Sequence, residues 1–147
     1  LVDENKDAQT HSDLGQYYLK AGDKVKALSN FKEALKQDPS DFKLIKDVLL
    51  LQLDIKDYIA VINDSESALE LYPAQPILYL VNGVANNNLE HYKKAIDNLE
   101  MGLDFLIDNP NMEADFYSQL SIAYKALNNI IKSETFAKKA QAIKAQQ

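Results

Sequence analysis

The sequence predicts an all-α fold, an α-solenoid of four helix-turn-helix repeats with about eight antiparallel helices, from three observations. A pattern of apolar and small residues recurs every 34 residues. Within each half-repeat the apolar residues follow one another at helical spacing, and short segments containing Gly or Pro separate the halves. Because a hairpin of two helices cannot bury its apolar stripe alone, successive hairpins are expected to stack.

The helical stripes are clearest in the second half of the first repeat. There Val25, Leu28, Phe31 and Leu35 recur at helical spacing, while lysines occupy the other faces, as an amphipathic helix requires. Equivalent stripes contain Tyr58, Val61, Ile62 and Leu69, and then Tyr92, Ile96, Leu99 and Leu103. The predicted breaks are Ala21-Gly22-Asp23, Asp38-Pro39-Ser40, Tyr72-Pro73 and Asn109-Pro110.

Composition and charge exclude several classes of function. The chain has 147 residues, 46% of them apolar, no Cys and a net charge of −6, and every basic residue is a lysine. The acidic balance and the absence of Arg disfavour nucleic acid, since phosphate binding relies on clustered basic side chains. No apolar run approaches the ~20 residues of a membrane-spanning helix. The compartment stays open between the cytoplasm and an exported, periplasmic location.

The first repeat carries a recognisable signature. Its positions are Leu14-Gly15, Tyr18, Gly22, Ala27, Phe31, Ala34 and Pro39. This pattern resembles the tetratricopeptide repeat family, whose signature is L-G-x2-Y, A-x3-F, A and P. The resemblance implies a right-handed solenoid that binds other proteins. It also implies that small residues, including Gly15, Gly83 and Gly102, lie where helices cross closely.

The later repeats are more degenerate copies. The second keeps Ala68 and Pro73 but has Ser65 in place of Phe, and the third has Ile107 where Pro is expected. The fourth restores the period after about four inserted residues around 108–112. The predicted organisation is an N-terminal extension (1–7) and a single domain (8–147), with repeats at about 8–41, 42–75, 76–109 and 114–147. The last two repeats also resemble longer bacterial proteins of this family, of which the chain would be a fragment.

The resemblance further implies that the first helix of each hairpin lines a concave groove. The candidate groove residues are Lys43, Lys46, Leu50, Leu53, Ile77, Leu80, Val84, Asn87, Asn88, Ile122 and Lys125. The apolar centre of this set favours a partner's peptide or helix. The carboxylate clamp of chaperone-binding family members is not matched, since Ile77 and Val81 stand at basic positions. Two alternatives stay open: Leu80 belongs to the core, and Lys43 with Lys46 forms a solvated face.

The sequence shows no catalytic motif, and the chain is not expected to be an enzyme or to need a cofactor or metal. His11 and His91 stand 80 residues apart with no nucleophile arrangement. Two other functions remain as hypotheses. One is a structural or oligomerisation segment that assembles through uncapped ends, for example as a homodimer through a C-terminal helix exposing some of Ile131, Phe136 and Ile143. The other is the non-catalytic repeat region of a larger enzyme or sensor.

Overall fold

The computed structural model describes residues 4–147, and all their regular structure is α-helical. The helices are α1 (Glu4–Lys20), α2 (Lys24–Gln37), α3 (Phe42–Asp54), α4 (Tyr58–Leu71), α5 (Pro76–Asn88), α6 (Tyr92–Phe105), α7 (Pro110–Ala126) and α8 (Ile130–Ala145). The predicted all-α fold with eight helices is therefore confirmed.

The chain divides into two compact units. Unit 1 is Leu1–Asp57 and contains α1 to α3, whereas unit 2 is Tyr58–Gln147 and contains α4 to α8. The division lies between the two helices of the predicted second repeat, so the single domain spanning 8–147 stays a prediction. Residues 4–7 of the predicted N-terminal extension belong to α1, and residues 1–3 lie outside the described residues.

Unit 1 is held together by the apolar faces of α2 and α3. Its core cluster consists of Ala27, Leu28, Phe31, Ala34, Leu44, Val48 and Leu51. The ring of Phe31 packs on the backbone of α1, because a Cβ added at Gly15 would lie 2.5 Å from Phe31 Cε1. The signature glycine thus marks a close helix crossing, as the sequence predicts. The turn before α2 is capped by Asp23, whose carboxylate accepts a hydrogen bond from the Lys26 amide (3.0 Å).

Unit 2 has a larger core shared by α5, α6 and α7. Its cluster consists of Tyr79, Leu80, Ala95, Ile96, Leu99, Phe116, Leu120, Ala123 and Tyr124. Gly83 lies directly against Leu99, and a Cβ at Gly102 would lie 2.7 Å from Phe116 Cε1. Both glycines therefore allow a bulky side chain of a neighbouring helix to approach the backbone.

The inserted residues around 108–112 lengthen α7. This helix has 17 residues, compared with 13 in α5, and it begins four residues before the predicted repeat boundary at 114. Asn109 caps it by accepting a hydrogen bond from the Met112 amide (3.0 Å), and Pro110 occupies the first helical turn, where it displaces no intrahelical bond. The insertion is therefore accommodated as an extra helical turn.

The last hairpin joins α7 and α8 through aromatic side chains. Phe136 stacks on Tyr117 and Tyr124, with ring centroids 5.8 and 5.7 Å apart. Phe136 and Ile143 are half-buried, but Ile131 is 81% exposed. Of the three residues of which some were expected to be exposed, Ile131 faces solvent.

Candidate functional site

Helices α5 and α7 are joined by a hydrogen bond that involves one candidate groove residue. The Asn87 side-chain amide donates to the backbone carbonyl of Gln119 and to Gln119 Oε1, each at 3.0 Å. Asn87 is buried, and its Oδ1 has no hydrogen-bond partner among the described residues. Asn87 therefore positions α5 against α7 rather than presenting a free amide to a partner.

The accessible part of the candidate groove in unit 2 consists of four side chains. Asn88, Ile122 and Lys125 are exposed and Val84 is half-buried. Ile122 is 49% exposed on α7, one turn beyond Gln119. Asn88 donates a hydrogen bond to the Val84 carbonyl at 2.9 Å, which holds its side chain along α5. These residues of α5 and α7 thus offer apolar side chains, an amide and an ammonium group.

Two other candidates in unit 2 contact its core. Leu80 is only 7% exposed and is a member of the core cluster, and Ile77 is half-buried and packs against that cluster. The apolar contribution of these side chains is therefore to stability, through burial against α6 and α7. Val84 is half-buried against the same cluster as Ile77, so Ile122 is the exposed apolar side chain among the unit 2 candidates.

The remaining candidates lie on α3 in unit 1. Lys43 forms a 2.7 Å ion pair with Asp47 one turn away, and Lys46 is half-buried. Leu50 is exposed and Leu53 is half-buried. An ion pair in water contributes little to stability, about 0–1 kcal/mol, so Lys43 can exchange Asp47 for another carboxylate. Their place in a binding groove stays a prediction.

A buried polar chain between α4 and α5 was not predicted. Asn82 donates from Nδ2 to Ser65 Oγ (3.0 Å), and Asn86 donates from Nδ2 to Asn82 Oδ1 (2.6 Å). All three residues are buried. Asn82, Asn86 and Ser65 stand where the repeat signature has Leu, Tyr and Phe, respectively. These departures from the signature were the signal in the sequence that could have pointed to the polar chain. The Asn82–Ser65 bond joins the two helices and so specifies how α4 and α5 align, and the bond from Asn86 holds the Asn82 side chain in place.

The two histidines lie in different compact units of the chain, and the side chains of residues 7–147 are described. His11 Nδ1 lies 3.2 Å from Asn30 Oδ1, and His91 is exposed at the start of α6. No group of three or more His, Asp and Glu side chains is placed there to hold a metal ion. No helix in residues 4–147 combines the length and the apolar character needed to cross a bilayer.

Tyr124 has the most perturbed ionisation in the described part of the chain. Its hydroxyl donates to Glu100 Oε1 at 2.7 Å, which ties α7 to α6. Burial, followed by the hydrogen bond to the Glu100 carboxylate, raises the pKa of Tyr124 to about 12. Both causes favour the neutral phenol in the folded protein.

We expect Tyr124→Phe to show a pH-dependent loss of stability. The raised pKa in the folded state means that Tyr124 stabilises the fold fully below pH 10, its ordinary value, and that this stabilisation is lost as pH rises to about 12. Below pH 10 the variant should be less stable by about 1 kcal/mol, the size of one hydrogen bond. Urea unfolding measured across this range tests the difference, with the exposed Tyr17→Phe as control. If the wild type and Tyr124→Phe differed in free energy of unfolding by the same amount at both ends of this pH range, the predicted pH dependence would be wrong.

Comparisons with known proteins agree with this geometry. Residues 8–41 match the family described as Tetratricopeptide repeat, and this range is the predicted first repeat. No curated protein matches the chain. A crystal structure of the MamA protein is 22% identical with a TM-score of 0.82, covering 96% of this chain and 75% of that one.

Two further solved structures have the same fold along almost the whole chain. MamA AMB-1 is 20% identical with a TM-score of 0.82, covering 99% of this chain and 85% of that one. MamA from residue 41 to its end, from Desulfovibrio magneticus RS-1, is 20% identical with a TM-score of 0.79, covering 99% and 77%. Identities this low show the fold alone. The chain thus has the tetratricopeptide-repeat solenoid fold, and its residues 8–41 are a repeat of the tetratricopeptide repeat family.

Proposed function

We propose that the chain is a protein-interaction scaffold that holds a peptide or helix of a partner in a partly apolar groove. In unit 2 the groove surface consists of Val84, Asn88, Ile122 and Lys125. The observation that carries this proposal is the half-exposed Ile122 on α7, a helix that the Asn87–Gln119 hydrogen bonds fix against α5. Repeat folds commonly bind partners along such surfaces, which are rigid and therefore cost little entropy on binding.

The side chains around Ile122 indicate the chemistry of the partner segment. Val84 and Ile122 offer apolar contact for one or two aliphatic or aromatic side chains. Lys125 and Asn88 supply a cation and an amide at the same surface, so they favour a carboxylate or a free backbone carbonyl next to the apolar anchor. A segment with apolar side chains and a nearby acidic residue fits these groups.

Ile122→Asp is expected to weaken partner binding by about tenfold or more without unfolding the chain. The new carboxylate would have to lose water against an apolar anchor, and an anchor contact of this kind is often worth more than 1 kcal/mol. A partner captured from the source cell and then purified would be titrated against the wild type and the variant by calorimetry.

Ile130→Asp is the matched control for this experiment. Ile130 is 48% exposed, almost the same as Ile122, but it lies at the start of α8 rather than on the α5–α7 surface. Equal weakening by the two substitutions, or no weakening by Ile122→Asp, would reject the α5–α7 surface as the binding site. Circular dichroism of both variants would establish that they remain helical.

Self-association through α8 is the second candidate function. Its supporting observation is Ile131, which is 81% exposed at the first turn of the terminal helix. A large aliphatic side chain in this position can pack against a second copy of the chain. Light scattering over a dilution series distinguishes this function from partner binding by a monomer.

A further inference from the structure

A second exposed apolar surface of unit 2 lies at the loops that precede α5 and α7. Tyr79 of α5 links the α4–α5 loop to the end of α6: its hydroxyl donates to the Pro73 carbonyl (2.6 Å), and its ring stacks on Phe105, the last residue of α6, with centroids 5.7 Å apart. The α4–α5 loop and the end of α6, after which the α6–α7 loop begins, therefore lie at one edge of the unit. We call Leu71, Phe105 and Ile107 the loop edge, since all three are exposed there.

Ile107 is the most prominent residue of the loop edge. It is 81% exposed, whereas its neighbour Leu106 is half-buried and packs on the core. The first two repeats have Pro39 and Pro73 at this position, so the aliphatic side chain is particular to the third repeat. Leu106 anchors the loop, and Ile107 consequently projects from it. Exposed apolar residues grouped in this way mark interaction surfaces more often than isolated ones do.

The loop edge lies in a strongly acidic part of the chain. Residues 57–124 contain eleven Asp and Glu against two Lys, a net charge of −9, whereas residues 125–147 contain one Glu against five Lys. Glu70, Asp104 and Asp108 flank the apolar residues directly in sequence and are exposed. Because several carboxylates share this surface with few cations, their potential attracts positive charge.

We propose that the loop edge docks an apolar segment flanked by Lys or Arg in another protein, independently of the α5–α7 surface. The apolar side chains of the segment contact Ile107, Phe105 and Leu71, and its basic residues lie beside the three carboxylates. Such charges mainly increase the rate of encounter and select the partner. A second copy of this chain, whose α8 carries lysines near the exposed Ile131, is the competing occupant, and it is distinguished by a dimer that depends on Ile107.

Selection from a random peptide library displayed on phage, with the full chain as bait, tests the proposal. The enriched peptides should combine apolar residues with Lys or Arg. Their affinity for the Ile107→Ser variant should be about tenfold lower than their affinity for the wild type. Ile131→Ser is the matched control, since Ile131 is also 81% exposed. The affinity of the peptides for the Ile131→Ser variant should stay within about twofold of that for the wild type. The same is expected of Ile122→Asp, which alters the α5–α7 surface.

The role of the carboxylates is tested by measuring the affinity of the same peptides for the double variant Asp104→Asn/Asp108→Asn. Binding should weaken, and its dependence on salt should become shallower, because fewer charges are then screened. No enrichment, enriched peptides without basic residues, or unchanged binding by Ile107→Ser would overturn the proposal. So would a concentration-dependent dimer that Ile107→Ser abolishes, because the occupant would then be a second copy.

Discussion

Replacing Phe116 with alanine should lower the free energy of unfolding by about 3–5 kcal/mol, the usual cost of deleting a buried aromatic ring. Phe116 is fully buried and packs on Gly102, beside Leu99 and Leu120 in the core of unit 2. The ring fills the space that the glycine leaves between α6 and α7. Its loss leaves a cavity that the surrounding helices can fill only by moving.

Urea unfolding followed by circular dichroism measures this effect. Tyr17→Ala is a suitable control, since it also removes an aromatic ring, but from a side chain that is 65% exposed on α1. That change should cost less than about 1 kcal/mol. If the two substitutions lowered stability equally, the assignment of Phe116 to the principal core of unit 2 would be wrong.

The small residues show what the sequence could predict. The resemblance to the tetratricopeptide repeat implied close crossings at these places, and the structure has a close crossing at each of Gly15, Gly83 and Gly102. Such contacts are predictable because they depend on the repeat itself: a hairpin of given helix lengths brings the same positions together each time. The apolar stripes predicted the helices for the same reason.

The polar contacts depend on individual pairs and were not predictable in this way. The Asn87 amide reaches Gln119 32 residues away, and no periodic pattern distinguishes this asparagine from its exposed neighbour Asn88. The chain from Ser65 through Asn82 to Asn86 likewise requires three substitutions in two helices to act together. Sequence reasoning could detect only that these positions lack the expected apolar residues.

Leu80 shows why the candidate site was harder to predict than the fold. Solvent-facing groove residues and buried core residues of an apolar helix have the same side chains, so the period cannot separate them. The separation depends on how closely the neighbouring helices approach. Leu80 is buried among the residues of α6 and α7, whereas Ile122 is half exposed.

Leu80→Asp should therefore unfold unit 2 rather than only abolish binding. The substitution removes apolar contacts worth about 2–5 kcal/mol and places a carboxylate where it has no cation partner, which costs several kcal/mol more. Their sum is comparable to the roughly 5–15 kcal/mol that stabilises an ordinary domain. Since burial disfavours the charged form, the loss should be smaller in acid, where the carboxyl group is protonated.

Thermal unfolding of Leu80→Asp at neutral and acidic pH tests this expectation, with Leu80→Met as the conservative control. Methionine nearly preserves the volume and should cost less than about 1.5 kcal/mol. A Leu80→Asp protein that melts like the wild type would contradict the burial of this side chain and restore Leu80 as a groove residue. If it unfolds while Ile122→Asp stays folded, Ile122 is the better position at which to test binding, because only there does the experiment separate recognition from stability.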